Sequence, residues 1–385
     1  MIALLSLLVW VYLLFAHGRF WQSEPQLPAA VPPQFPAVDI VVPARDEAHT
    51  IGTAIGSLLE QDYGGNFRVI LVDDNSTDGT GELARSALST KAAQSAGAAA
   101  QPAGAAAAPR LEIISLTSKP AGWSGKLWAV SRGVAAAHAP LLLLTDADIE
   151  HDPRHLSSLV AKLLQSDIDM VSEMVRLNCT SLAERALVPA FVYFFQMLYP
   201  FRRVNDPQSR VAAAAGGTIL IRREALQRIG GIDAVKNSLI DDVALAKAVK
   251  HSGSIFLGHS GLAASIRPYA GFADIWHMVS RTAFTQLRYS VALLALTLLA
   301  LTVVWLAPPA AILFGQGWSR ACGAAAFAIA AISYIPTLGR YGRSPLWALA
   351  LPLIALFYMA ATLGSAVDYW RGRGARWKSR DYGAQ

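Results

Sequence analysis

The 385 residues contain only two cysteines, Cys179 and Cys322, too few for a disulfide framework. They carry little charge, 16% against about 25% in an ordinary soluble domain. No GxGxxG fingerprint or P-loop spacing is present, which excludes the common dinucleotide and NTP cradles. No nucleophile elbow occurs, and the histidines (His49, His151, His155 and His259 among them) show no paired metal spacing. Serine-hydrolase and zinc chemistry are therefore not expected. The apolar N-terminus lacks a basic n-region and a small-residue cleavage site, so it reads as an anchor and not as a removed signal.

What is abundant is apolar sequence, 54% of the chain, and its distribution is uneven. Met1–Trp21 at about 1.5 Å per residue would just cross a bilayer core of roughly 30 Å. Residues 22–37 are proline-rich and read as a semi-rigid linker. After Tyr289, Val291–Phe314 and Leu346–Val367 are long enough to span, while Ala321–Thr337 is a marginal third span. Pro308 and Pro309 should kink or end the first of these. The net charge of +6 owes much to a tail over 371–385 that holds Arg371, Arg373, Arg376, Lys378 and Arg380. Beside an apolar run, that cluster points to lipid headgroups and away from nucleic acid. Two spans would keep the tail on the side of the soluble body; three would place it opposite, against the positive-inside tendency. The sequence leaves that choice open.

From Val38 to about Ala270 the composition is that of an α/β domain. Val38–Val42, Arg68–Asp73, Leu111–Leu116, Leu141–Thr145, Met170–Val175 and Thr218–Ile221 are strand candidates whose near-continuous apolar character fits parallel strands covered on both faces. Thr50–Gln61, Asp78–Ser89, Lys126–Ala137 and Pro153–Gln165 are the helices between them. The alternation predicts a mostly parallel, Rossmann-like sheet. An Ala-rich stretch over 87–109 reads as a mobile insertion without chemistry. Residues 271–290 read as an interfacial amphipathic helix, and Phe191–Phe201 as either an interfacial segment or a core helix.

Chemistry concentrates where strands end. The first strand leads into Pro43, Arg45 and Glu47, and the second into Asp74 and the turn-rich Asn75–Asp78. Ligands of open α/β sheets gather at such carboxyl ends, although Asp, Asn and Ser are also ordinary turn and cap residues. The fourth strand runs into Asp146-Ala147-Asp148. Two carboxylates at i and i+2 of an extended segment share a side and can face one Mg²⁺ or Mn²⁺, the rival reading being a solvated loop. Gly122-Trp123-Ser124-Gly125-Lys126 opens a helix with one cation that can neutralise a phosphate. Gly216-Gly217 precedes a strand, and Asp241-Asp242 opens a later helix. Neighbouring carboxylates raise one another's pKa, which suits a general base; capping by Asp241 is the alternative.

Taken in order, PARDEA, VDDNSTDGT, GWSGK, TDAD, GGTILIRREAL–IGGID and IDDVAL resemble family 2 glycosyltransferases of the GT-A fold. The flanking membrane segments, GWSGK and RTAFTQLRYS look most like the bacterial hopanoid biosynthesis-associated glycosyltransferases. The resemblance implies a GT-A-type sheet domain over 38–270 with an N-terminal anchor and C-terminal membrane helices. It implies a nucleotide-sugar donor, UDP-linked by expectation, a divalent cation (Mg or Mn) and a lipid acceptor. Pro43, Arg45, Glu47, Asp74, Lys126 and Asp146 would then bind the nucleotide sugar, and Asp146 with Asp148 the metal. Asp242, preceded by Asp241, would be the catalytic base, and Gly216 and Gly217 would lie on the acceptor side. The (Q/R)xxRW signature of processive synthases is absent; Ser280–Phe284 is the nearest stretch, with Arg281 or Arg288 as substitute cations. The expectation is an inverting, multi-pass enzyme of the inner (cytoplasmic) membrane with its catalytic domain facing the cytoplasm. Transfer to polyprenyl phosphate or polysaccharide is the alternative, and an inactive membrane scaffold or nucleotide-sugar sensor the reading from another class.

Overall fold

The structure, a computed structural model, describes residues 1–97, 110–372, 376–377 and 380–381. The remainder of the Ala-rich stretch and most of the basic tail lie outside the described residues. The chain forms two compact units. One comprises Pro25–Leu177, Val204–Arg267 and Arg376–Gln385; the other Met1–Glu24, Asn178–Arg203 and Pro268–Ala375.

The first unit is built on an eight-stranded sheet: β1 (Val38–Ala44), β2 (Phe67–Asp73), β3 (Arg110–Ser115), β4 (Leu141–Thr145), β5 (Ile149–His151), β6 (Met170–Arg176), β7 (Thr218–Arg222) and β8 (Ile255–Ser265). Their order is β3-β2-β1-β4-β7-β6-β8-β5. The expected parallel core is present in β3-β2-β1-β4, and β6 pairs parallel with β8. β7 runs antiparallel between β4 and β6, and β5 antiparallel to β8, so the sheet is mixed. Every residue of β1 is buried, as a strand covered on both faces requires. Ile51, Ile55 and Leu58 of helix Ile51–Leu59 share one core with Leu156, Leu159 and Leu163 of helix His155–Gln165 and with Ile40, Val42 and Leu143 of the sheet. Helix Thr80–Gly97 follows β2, so the first part of the Ala-rich stretch is helical. The proline-rich segment is pinned to β8: Leu27 N–H donates to His259 O (3.1 Å) and His259 N–H to Pro25 O (2.7 Å).

The second unit is helical. Val291–Phe314, Gly317–Arg340 and Pro345–Trp370 have 24, 24 and 26 residues and are each long and apolar enough to cross a membrane. The segment expected to be marginal is thus a full-length helix, extended at both ends beyond Ala321–Thr337. The N-terminal helix Ile2–Phe15 has 14 residues, about 21 Å at the helical rise, short of a bilayer core. The expected amphipathic segment is two short helices, Phe272–Ser280 and Ala283–Gln286. Phe191–Phe201 lies largely in helix Leu182–Leu198, and so belongs to this unit and not to the sheet. Pro308 and Pro309 do not end their helix. The turn before them, Thr302–Leu306, widens to a π-helix, and the α-helix resumes over Ala307–Phe314. Pro308 has no N–H for the Val304 carbonyl four residues back, and the Trp10 indole donates to that carbonyl at 2.9 Å.

Candidate functional site

Parallel pairing sets Ala44 beside Asp73 and carries β4 to Thr145 at the same edge, so the loops after β1, β2 and β4 converge. Because β7 runs the other way, its start pairs with the end of β4, Thr218 with Thr145. That reversal brings Gly216 and Gly217 to the carboxyl edge. β8 ends there too, Ser265 pairing with Ile149, and Ile266 N–H donates to Asp148 O at 2.9 Å.

One cluster surrounds Lys126. Ser124 caps helix Gly125–Ala136 by accepting from Leu127 N–H (3.1 Å), which fixes Lys126 in the first turn. Its Nζ lies 2.8 Å from Asp146 Oδ1 and 3.9 Å from Asp241 Oδ2. Burial works against the ammonium charge, but Asp146 and Asp241 outweigh it and hold Lys126 above its ordinary value. Asp241 and Asp242 both sit in the first turn of helix Asp241–Ser252, and neither caps it. Asp242 accepts from Gly216 N–H (2.9 Å) and Val243 N–H (2.7 Å). Burial first, then repulsion from Asp241, pushes Asp242 up to about 7, with Lys126 pulling the other way. A Cβ on Gly216 would come 3.4 Å from Asp242 Oδ2 and 3.5 Å from Lys126 Nζ, so Gly216 lies directly against both groups. Lys126, Asp146, Gly216, Asp241 and Asp242 line one partly open cleft with Pro43 and Thr145.

A second cluster surrounds Arg267, which the motif reading passed over. Its guanidinium donates to Asp148 Oδ2 and to Glu47 Oε1, each at 2.6 Å. Burial pushes Asp148 above the usual carboxylate range, with Arg267 opposing. Asp146-Ala147-Asp148 is not extended, contrary to the expectation: it is a turn, with Ile149 N–H reaching Asp146 O at 3.4 Å. The alternation argument therefore does not set its carboxylates. Asp146 goes to Lys126 and Asp148 to Arg267. The signal that finds Arg267 is its place, two residues beyond a strand end on the ligand edge.

The first loop is structural as much as exposed. Arg45 is buried, donates to the Asp74 and Asn75 carbonyls, and lies 3.7 Å from the Asp74 carboxylate. Asp74 is fully enclosed, so it is covered by Arg45 and not presented to the cleft. Asp46 accepts from Thr77 N–H (2.9 Å) and Asp78 from Ala48 N–H (2.9 Å), tying the two loops together. Turn chemistry accounts for Asn75–Asp78.

Beneath the cleft runs a buried polar chain. Thr145 Oγ1 contacts His151 Nε2 (3.1 Å), His151 Nδ1 contacts His155 Nδ1 (2.8 Å), and His155 Nε2 contacts Glu173 Oε2 (2.6 Å). Each contact carries one hydrogen, so the tautomers along the chain are set together. Burial, then His155 beside it, holds His151 well below its ordinary pKa. No metal spacing was expected of these histidines; the turn between β5 and the next helix stacks them 5.0 Å apart as a hydrogen-bonded pair. Among the described residues no group of three or more His, Cys, Asp or Glu is arranged to hold an ion. Asp146 and Asp148 are oxygen donors of the kind Mg²⁺ or Mn²⁺ takes, and the structure turns them toward different cations, Lys126 and Arg267.

Residues 39–230 match the family model described as Glycosyl transferase family 2. Among solved structures, the mannosyltransferase PcManGT from Pyrobaculum calidifontis, in complex with GDP-Man and Mn²⁺, superposes with a TM-score of 0.55 at 20% identity, covering 96% of this chain and 99% of that one. At that identity the likeness concerns the fold. An N-acetylglucosaminyltransferase of Neorhizobium galegae is 28% identical over 147 residues, 38% of this chain and 29% of the relative's length.

Proposed function

Residues 39–230 match the family 2 glycosyl transferase model, and on that premise we propose that the protein moves a sugar, with inversion, from a UDP-linked donor to a lipid hydroxyl. The observation that carries the reading is the Lys126 cluster, where a carboxyl poised at about 7, Asp242, shares a cleft with the cation Lys126 and with Asp146. Asp242 takes the proton of the acceptor hydroxyl at its carboxylate, which that pKa allows near neutral pH. The hydroxyl oxygen then bonds to the anomeric carbon as the bond to the diphosphate oxygen breaks. Lys126 holds charge beside the departing diphosphate, and Asp146 orients Lys126. Asp146 and Asp148 would hold Mg²⁺ or Mn²⁺, which neutralises diphosphate charge when bound. Pro43 lines the cleft, Arg45 and Glu47 would meet the nucleotide from the same loop with enclosed Asp74 bracing Arg45, and Gly216 would lie on the acceptor side while Gly217 packs against Val175.

The lipid acceptor is supported by the three helices long and apolar enough to span, and a hopanoid-type lipid by the motif resemblance. The inner membrane, with the sheet unit facing the cytoplasm, is the matching location. The test is sugar transfer by the purified full-length protein with UDP- and GDP-linked donors, followed by mass spectrometry of extracted product. Wild-type turnover by Asp242→Asn and Asp148→Ala would sink the roles of these two carboxylates as base and metal ligand. A long polymer as product would sink the lipid acceptor.

A further inference from the structure

We propose that Arg267 is the resident counter-ion of the Glu47–Asp148 pair, and that a divalent ion gains Asp148 by displacing it. The inference rests on the proposed metal-binding role of Asp148. Glu47 and Asp148 are each 8% exposed, so their charges need a local partner, and burying carboxylates without one is costly. Arg267 supplies it with two short contacts of 2.6 Å, one to each acid. Lys126 is engaged with Asp146 at 2.8 Å, so it is Arg267 that faces Asp148. The guanidinium forks onto both carboxylates as a planar donor does.

The Arg267 side chain is 34% exposed and its backbone is fixed, Arg267 N–H donating to Ser265 Oγ at 3.3 Å. The stem can therefore swing its head outward while the strand end stays in place. A cation approaching Asp148 meets an acid already neutralised and a positive charge beside it. Alone, it should bind weakly. A nucleoside diphosphate changes the balance, because its oxygens offer the displaced guanidinium a new bidentate partner. Cation and diphosphate should then bind cooperatively in the wild type.

The test is a titration of Mn²⁺ alone into full-length protein in detergent, read from the electron paramagnetic resonance signal of free Mn²⁺. Arg267→Ala and Arg267→Gln should bind Mn²⁺ at least tenfold more tightly than wild type. Asp148→Asn placed in the Arg267→Gln background should cancel the gain. Arg267→Lys, which keeps the charge, should stay close to wild type. The Gln variant preserves bulk and hydrogen bonding, and circular dichroism checks its fold. Equal or weaker Mn²⁺ binding by a folded Gln variant overturns the proposal, as does a gain that survives Asp148→Asn. Tighter binding by the variants in a protein that transfers no sugar would leave this inference standing and remove the proposed reaction.

Discussion

Lys126 and Arg267 face acids across the same edge of one sheet, and they do so differently. Lys126 makes one short contact, 2.8 Å to Asp146, and a long one of 3.9 Å to Asp241. Arg267 forks evenly onto Asp148 and Glu47 at 2.6 Å. An ammonium is a point charge and a guanidinium a planar fork. The point charge is shared among several carboxylates and leaves Asp242 pushed up to about 7. The fork satisfies its pair. One cluster is thus arranged to exchange a proton near neutral pH, and the other to hold charge in place until something stronger competes for it.

That contrast can be broken most decisively at Asp242. Asp242→Asn removes the proton acceptor and should lower kcat by about a thousandfold, the usual scale of general-base catalysis, with Mn²⁺ binding unchanged. Next in size is a control from below the edge. His155→Ala leaves Glu173 buried beside Ser260 without its histidine partner and should cost about 3 kcal/mol of stability by denaturant titration. The acidic limb of the pH–rate profile should stay where it was, since His155 does not appear among the causes that set Asp242. Lys126→Met should then lower kcat/KM by roughly a hundredfold, as loss of a preorganised charge does. Lys126 pulls the Asp242 pKa down, so its removal raises that pKa, and the limb should move to higher pH. Asp241→Asn should do the reverse and least. Removing the like charge lowers the Asp242 pKa, so the limb moves to lower pH by about one unit, with kcat at pH 8 little changed. In the wild type the base form is present above about 7, and activity falls as pH drops through that value. If both variants shift the limb the same way, the shared-cation account of the Lys126 cluster fails.

How much of this was legible beforehand depended on periodicity. The strands ending in Ala44, Asp73, Ser115, Thr145, Arg176 and Arg222 were each marked by a largely apolar run. β8 was not, because Gly258, His259, Ser260 and Gly261 interrupt its pattern, and its burial is settled by pairing with β6. Arg267 hangs from the end of β8 and was missed with it. The turn at Asp146–Asp148 was missed for another reason: the two-residue alternation holds only while the backbone stays extended, and β4 stops at Thr145. Placing Lys126, Asp146, Asp241 and Asp242 in one cleft follows from the reversal of β7, which no local spacing encodes.

That same reversal has a consequence for how the protein is made. Between β6 and β7 the chain leaves the sheet for helix Leu182–Leu198 and returns at Val204. β7 fills the place between β4 and β6, and β5 pairs with β8, the last strand of the sheet to be made. On a ribosome, the parallel half can pair early, while the other half stays open until Ser265 has emerged. Until β7 has emerged, the edge of β4 is unpaired and apolar, Leu141–Leu144, which is a hazard for a nascent chain. Truncating the chain before β7 should leave that edge exposed, so a fragment ending near Asn178 is expected to aggregate and not to fold as a smaller domain.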